Sequence, residues 1–464
     1  MKLCKMITMH VTVHVHVAVA VLLVSTMTGY SALTAANVVR PPIILVPGLA
    51  GSQLDGKQAK DFKTEEHCLR LKDWGQVWLA LDQLAGLFAN CATNNLRLDF
   101  DPMSLEYSEP EGMQIRVPHF GSTASVEYLD RDPLVKLIPE SHYLHAMVNF
   151  FVKEHGYTRD VDIVAAPYDW RKSPWGKSDT YFDDVQHLIE QVSNRSESPA
   201  IVISHSMGGP VMQAFFNQTT SDWKDEYISA WFPVDGVWTG SPKVAKAIIS
   251  GENFGAPAPE SILATMERTL ESSFFLMPLP DLWPENVANF VTVEGSNKTI
   301  YGTGNTVQLL ADIGVPHPDK RLDYLNEMRM SLEAPGVPVH CVYGTGVATA
   351  WHYTYKKLDG SPPAHVEYGD GDGTVPLHSL ARCADWADQQ NQSVTVKTFF
   401  KLEHDAAIKS QAVFKYIQSQ IPALASPPQP VVSSGTPLSF ISAQSLTFLL
   451  TSLHCGLLHA YFSL

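Results

Sequence analysis

Between Arg40 and Gln420, short apolar runs alternate with longer stretches whose apolar residues recur at helical spacing. The runs at 43–46, 161–165, 201–204, 231–234, 339–343 and 394–400 have the length of strands. Several hold almost no polar position, so neither face of such a strand can meet water. Strands buried on both faces belong in a mostly parallel sheet with helices packed on each side, which predicts an α/β chain. No internal repeat at a fixed period is visible. Residues 61–101 and 251–326 fit the alternation less well, the second carrying Pro, Gly and Trp without a clear period. Both are expected as insertions, forming a cap over the sheet.

The two ends depart from this pattern. Residues 1–36 carry Lys2 and Lys5, an apolar run at 11–24 and small residues at Thr34, Ala35 and Ala36, the layout of a secretory signal peptide. The folded domain is then expected at 37–422. No Asp, Glu, Lys or Arg follows Lys415, and 423–437 is rich in Pro and Ser before an apolar finish at 446–464. This predicts a linker and tail over 423–464. Ser433, Ser434 and Gly435 ahead of the apolar terminus fit a glycolipid-anchor signal, and so a cell-surface anchor, although Thr, Ser and His interrupt the apolar part.

Composition narrows the partners. With 464 residues, 45% of them hydrophobic, the chain can bury a sizeable core. A net charge of -15 and the lack of any basic run argue against nucleic acid, and any lipid contact must rest on apolar surface rather than on attraction to anionic headgroups. Of six cysteines, Cys4 falls in the signal and Cys455 in the tail, which leaves Cys68, Cys91, Cys341 and Cys383. In an oxidising compartment these suggest two disulfides, with three pairings open, the local one first. No CxxC spacing supports a metal site. Asn194, Asn217, Asn297 and Asn391 each head an Asn-x-Ser/Thr triplet that permits N-glycosylation.

Candidate chemistry begins at Ile201-Val202-Ile203-Ser204-His205-Ser206-Met207-Gly208-Gly209, where a buried strand meets a serine flanked by small residues and an apolar helix follows. This is the pattern of a nucleophile elbow, with Ser204 in place of the usual first glycine. A nucleophilic serine needs an orienting acid and then a base further along the chain. Tyr368-Gly369-Asp370-Gly371-Asp372-Gly373 offers two acids in a glycine-rich turn, and the run 394–400 leads to Glu403-His404-Asp405. The acids lack the further oxygen ligands of a calcium loop. Oxyanion donors are expected from the backbone N–H of Met207 and of Leu49, in the loop after the first strand.

The motifs Val46-Pro47-Gly48, Ala166-Pro167-Tyr168-Asp169-Trp170-Arg171, His205-Ser206-Met207-Gly208, His340-Cys341-Val342-Tyr343-Gly344, Gly371-Asp372-Gly373-Thr374 and Glu403-His404 together resemble the lecithin:cholesterol acyltransferase and lysosomal phospholipase A family. The resemblance spans about 41–420. It implies an α/β-hydrolase fold with a mostly parallel central sheet, a cap and a small membrane-binding subdomain at about 61–101. It also implies Ser206 as nucleophile, Asp372 rather than Asp370 as acid, His404 as base, Leu49 and Met207 as oxyanion donors, and disulfides Cys68–Cys91 and Cys341–Cys383. Ser204 and Leu49 depart from residues common in the family, and 238–243 matches it only loosely.

Trp74, Val77, Trp78, Leu81, Leu84, Leu87 and Phe88 recur at helical spacing and predict an apolar face, with Trp74, Trp78 and Leu81 meeting a bilayer or lipoprotein surface. Asp169 and Arg171 are expected as a structural ion pair. The resulting expectation is a secreted or lysosome-like serine acyl hydrolase that cleaves glycerophospholipids and passes the acyl group to water or a lipid alcohol. A sterol acyltransferase is the rival within the family, and a non-catalytic lipid-binding protein the rival outside it. No cofactor or metal is called for.

Overall fold

In the computed structural model the apolar runs assemble into a six-stranded sheet. Its strands are β1 (Ile43–Val46), β2 (Ile163–Ala165), β3 (Ala200–His205), β4 (Ile228–Val234), β5 (Val339–Thr345) and β6 (Val394–Phe400). Their order is β6-β5-β4-β3-β1-β2, and every neighbouring pair runs parallel. The structure describes residues 40–425 apart from 85, 138–140, 174–179, 255, 257, 281, 296–297 and 330–332. The expected signal peptide, the tail beyond 425 and Asn297 lie outside the described residues.

Alternation along each strand divides the core in two. Ile44, Val46, Val202, Trp231 and Val339 pack on one face with Val185 and Ile189 of helix Tyr181–Ser196 and Phe215 and Phe216 of helix Gly208–Gln218. Ile43, Leu45, Ile201, Ile203 and Phe232 pack on the other with Met147 and Phe151 of helix His145–His155 and Phe414 of helix Gln411–Gln420. The strands therefore have no wet face except at the β6 edge, where exposed and half-buried positions alternate. The architecture is the α/β-hydrolase fold, and the strand order reverses beside β1, so the carboxyl ends of β1 and β3 flank the crevice where such sheets hold ligands. No helix among the described residues is long and apolar enough to cross a membrane.

Two expectations need correction. β2 starts at Ile163 rather than at Val161, because Val161 is exposed and the Asp162 N–H turns back to the Thr158 carbonyl. The segment 74–88 is not one helix: Gly75–Trp78 is a strand antiparallel to Leu54–Gln58, followed by a short helix at Leu81–Leu84. Gly75 weakens a helix, whereas Val77 and Trp78 suit a pleated surface, and the partner strand takes up their backbone groups. The stretch 251–326, expected as part of a cap, contributes strands to a second sheet that extends beyond it. Strands Thr299–Gly302 and Asn289–Val293 join Thr349–Tyr355 and His365–Gly369, which lie after β5, in a second four-stranded sheet. That pairing is non-local, so local patterning carries no trace of it.

The disulfides join Cys68 to Cys91, on helix Ala89–Leu96, and Cys341 of β5 to Cys383. Two such bonds fit a protein of the secretory pathway.

Candidate active site

β3 ends in a turn so sharp that Ser206 takes a left-handed φ of 55°, a conformation that a non-glycine residue adopts only when its surroundings impose it. Here the Ser206 N–H donates to the Val234 carbonyl at 3.0 Å, and its own carbonyl accepts from the Gly209 N–H at 2.9 Å as helix Gly208–Gln218 begins. The turn also packs backbone to backbone against the loop after β1. A Cβ on Gly208 would lie 2.5 Å from the Pro47 carbonyl oxygen, and one on Gly48 would lie 2.7 Å from the Ser206 Cβ. Glycine at both positions brings the Leu49 loop and Met207 against the serine.

Ser204 has a partner that its sequence context did not reveal. Its Oγ accepts the indole N–H of Trp231 at 2.9 Å, and both side chains are fully buried. A tryptophan on the next strand can be seen in the sequence, but the register that brings the two together cannot.

Asp372 follows the second sheet and has no exposed surface. One carboxylate oxygen accepts the N–H groups of Thr374 and Val375 at 2.9 and 2.7 Å, and the other accepts His404 Nδ1–H at 2.6 Å. The His404 N–H donates to the Asp372 carbonyl at 2.8 Å, fixing the two backbones to each other. Asp370 instead accepts the Gly346 N–H at 2.6 Å in an exposed loop. His404 opens helix His404–Ala407 directly after β6.

These contacts set the charges. Burial raises the Asp372 carboxyl, but the His404 charge and hydrogen bond, with the two amides, outweigh it and hold the group below its usual range. Burial lowers His404, but the Asp372 charge and hydrogen bond, helped by Asp235 and Asp405, push it up to about 9. Asp372 thus makes His404 a stronger base and stabilises the cation it becomes on taking a proton. His205, next to Ser206, has its ring centroid 4.8 Å from that of His404, so the serine turn and the imidazole share one site.

A hydrogen-bonded chain that the sequence did not reveal ties the Leu49 loop to the His404 backbone. The Gly48 N–H donates to the Tyr143 hydroxyl at 2.9 Å, and that hydroxyl lies 2.7 Å from His205 Nδ1. His205 Nε2 lies 3.3 Å from the His404 carbonyl oxygen. The consistent proton arrangement has Tyr143 donating to Nδ1 and Nε2–H donating to the carbonyl, which requires a neutral ring. Burial and the neighbouring His404 charge keep it neutral by lowering its pKa to about 3.

Away from the serine, Arg171 is fully buried and donates to Asp169 at 2.6 Å, to Glu109 at 2.8 Å and to the Leu96 carbonyl at 3.3 Å. It braces the sheet end against the helix that carries Cys91. Among the residues expected at a membrane, Trp78 is held inward: its indole N–H donates to the Ala50 carbonyl at 2.7 Å and its ring lies 4.9 Å from Trp170. Leu81 is half-buried, and Trp74 is 38% exposed with the Arg116 guanidinium over its ring. Leu69 and Phe88, at 77% and 41%, are more exposed neighbours of the Cys68–Cys91 bond. Asn194, Asn217 and Asn391 are exposed.

Known proteins share this chain's pattern. The family described as lecithin:cholesterol acyltransferase matches residues 74–300 and 308–415. A bovine protein named lysosomal phospholipase A and acyltransferase is 33% identical over 382 residues, 82% of this chain and 91% of the relative. Lecithin-cholesterol acyltransferase-like 1 of Arabidopsis thaliana is 32% identical over 88% of this chain and 95% of its own length. The phosphatidylcholine-sterol acyltransferase of Gallus gallus is 32% identical, covering 78% and 86%. With a match over most of its length and relatives this similar, the chain belongs to the lecithin:cholesterol acyltransferase family.

Proposed function

We propose that this protein is a serine acyl hydrolase of glycerophospholipids that can also pass the acyl group to a lipid alcohol. The observation that carries this reading is the Asp372–His404 pair set beside a serine in a strained strand-to-helix turn. In the proposed reaction His404 takes the Ser206 proton as the oxygen attacks an ester carbonyl. Asp372 holds the imidazole tautomer and stabilises the cation that forms. The Leu49 and Met207 N–H groups bind the oxyanion, and the collapse of the tetrahedral intermediate expels a lysophospholipid with the proton from His404. Water, or a lipid alcohol, then attacks the acyl-enzyme in the second half-reaction. The names of the bovine and chicken relatives support a phospholipid donor.

The surface around the Cys68–Cys91 bond supports a lipid interface as the place of work. Trp74, Leu69 and Phe88 supply its exposed apolar groups, and Trp78 braces the Leu49 loop from inside. The disulfides, the signal-like N terminus and the exposed glycosylation triplets support a secreted or lysosomal setting.

The test is to incubate the purified protein and its Ser206→Ala variant with phosphatidylcholine vesicles, with and without a long-chain alcohol, and to quantify the products. Fatty acid and lysolipid from the wild type alone, with acyl-alcohol formed at the expense of fatty acid, support the proposal. Equal release by both proteins, or vesicle binding without release, would refute it.

A further inference from the structure

Beneath the Asp372–His404 pair sits a carboxyl group that the proposed reaction does not use. Asp235 follows β4, the strand between those that lead to Ser206 and to Asp372, and its side chain has no exposed surface. Its backbone is left-handed at φ 50°, and its N–H donates to the Val342 carbonyl at 2.8 Å, so the main chain aims the side chain inward. Oδ1 accepts the Gly344 N–H at 2.8 Å, whereas Oδ2 is buried with no hydrogen-bond partner among the described residues. An Asp235 oxygen, an Asp372 oxygen and a His404 ring nitrogen all lie within 4.8 Å of one another.

Two carboxylates this close in a buried site cannot both stay ionised unless cations match them, and His404, neutral until it takes a proton, is the one group of that cluster that can become a cation. Asp372 has three hydrogen-bond donors on its oxygens and Asp235 has one. The negative charge therefore resides on Asp372, and the proton on Asp235. We propose that Asp235 is a second, positioning acid: the two carboxyls carry one negative charge between them, and Asp235 takes over the orientation of His404 when Asp372 cannot hold that charge. Burial and the Asp372 charge hold the Asp235 carboxyl well above the usual carboxylate range, against the pull of His404, with Asp405 adding to the rise. Removal of the Asp372 charge removes one cause of that rise. Asp235 then gives its proton to solvent as pH rises, and its carboxylate accepts the His404 N–H.

This inference rests on the Ser206, His404 and Asp372 reading, and the experiment separates the two. Ester turnover is measured from pH 5 to 9 for the wild type, Asp235→Asn, Asp372→Asn and the double variant, with folding checked by thermal unfolding. Asp235→Asn keeps the acceptor for Gly344 and gives the reference against which the double variant is read. Asp372→Asn should be strongly impaired, with residual activity that climbs with pH, and the double variant should lose that climb and fall about tenfold or more below it at the alkaline end. Should Asp235→Asn not fold, Asp235→Gly, which suits the left-handed backbone, replaces it in both arms. Superimposable profiles for Asp372→Asn and the double variant would overturn the second acid and leave the proposed function standing. An unimpaired Asp372→Asn would overturn both.

Discussion

Replacing Tyr143 by Phe removes a single oxygen and keeps the ring. That oxygen accepts the Gly48 N–H at 2.9 Å and serves His205 Nδ1 at 2.7 Å, so the variant leaves one buried amide and one buried ring nitrogen without partners. Each orphan costs ~1–3 kcal/mol, which sets the stability loss at about 2–6 kcal/mol. The ring remains lodged against Gly51, where a Cβ would meet it at 2.7 Å, so the fold should survive. Gly48 adjoins the Leu49 amide, and a loop free to shift will present that donor less accurately as negative charge develops. If the cost of one orphan is felt in the transition state, kcat falls by roughly 10- to 100-fold. That is less than the 10²–10³ typical of deleting an oxyanion donor outright. The assay is kcat and KM on phosphatidylcholine vesicles beside a thermal melt, with KM little changed. A variant that melts earlier but turns over like the wild type would refute the coupling and reduce Tyr143 to a core residue.

Three other substitutions probe separate parts of the structure. Ser204→Gly restores the usual elbow glycine but orphans the Trp231 indole N–H, so it should cost ~1–3 kcal/mol in denaturant unfolding while turnover is retained; unchanged stability would contradict the assigned bond. Arg171→Met leaves the Asp169 carboxylate without its ion-pair partner and Glu109 with Lys172 alone, and should cost ~3–5 kcal/mol, a loss below about 1 kcal/mol contradicting the brace. His205 binds a proton near its ordinary 6.5 in the unfolded chain but only near 3 in the folded one, so it drains stability as pH falls through that window. His205→Gln should therefore flatten the loss of thermal stability between pH 6.5 and 4, and an unchanged slope would count against a neutral buried imidazole.

Much of this was legible in the sequence because the signals are local. The β3 run is too apolar for a wet face, and the small residues around Ser206 mark the turn that follows it. His404 could be placed because a strand-length run ends four residues before it. What stayed hidden depends on register and on contacts across the chain. Ser204 meets Trp231 only through the parallel pairing of β3 with β4, and the second sheet joins strands on either side of β5. In the sequence Asp235 is only the residue after a strand-length run, and nothing nearby tells of Gly344 or Asp372. Trp78 misled for the reverse reason: aromatic and aliphatic spacing mimicked a helix, and only the pairing with Leu54 turns that side chain toward Ala50.

The central claim is that Ser206 is a nucleophile activated by His404 and oriented by Asp372. The most direct measurement treats the full chain with a fluorophosphonate that carries a long alkyl group and maps the adduct by peptide mass spectrometry. The account predicts one adduct per chain, on Ser206, absent from Ser206→Ala and formed orders of magnitude more slowly in His404→Ala. An adduct on another residue, or continued phospholipid turnover after Ser206 is fully blocked, would contradict it.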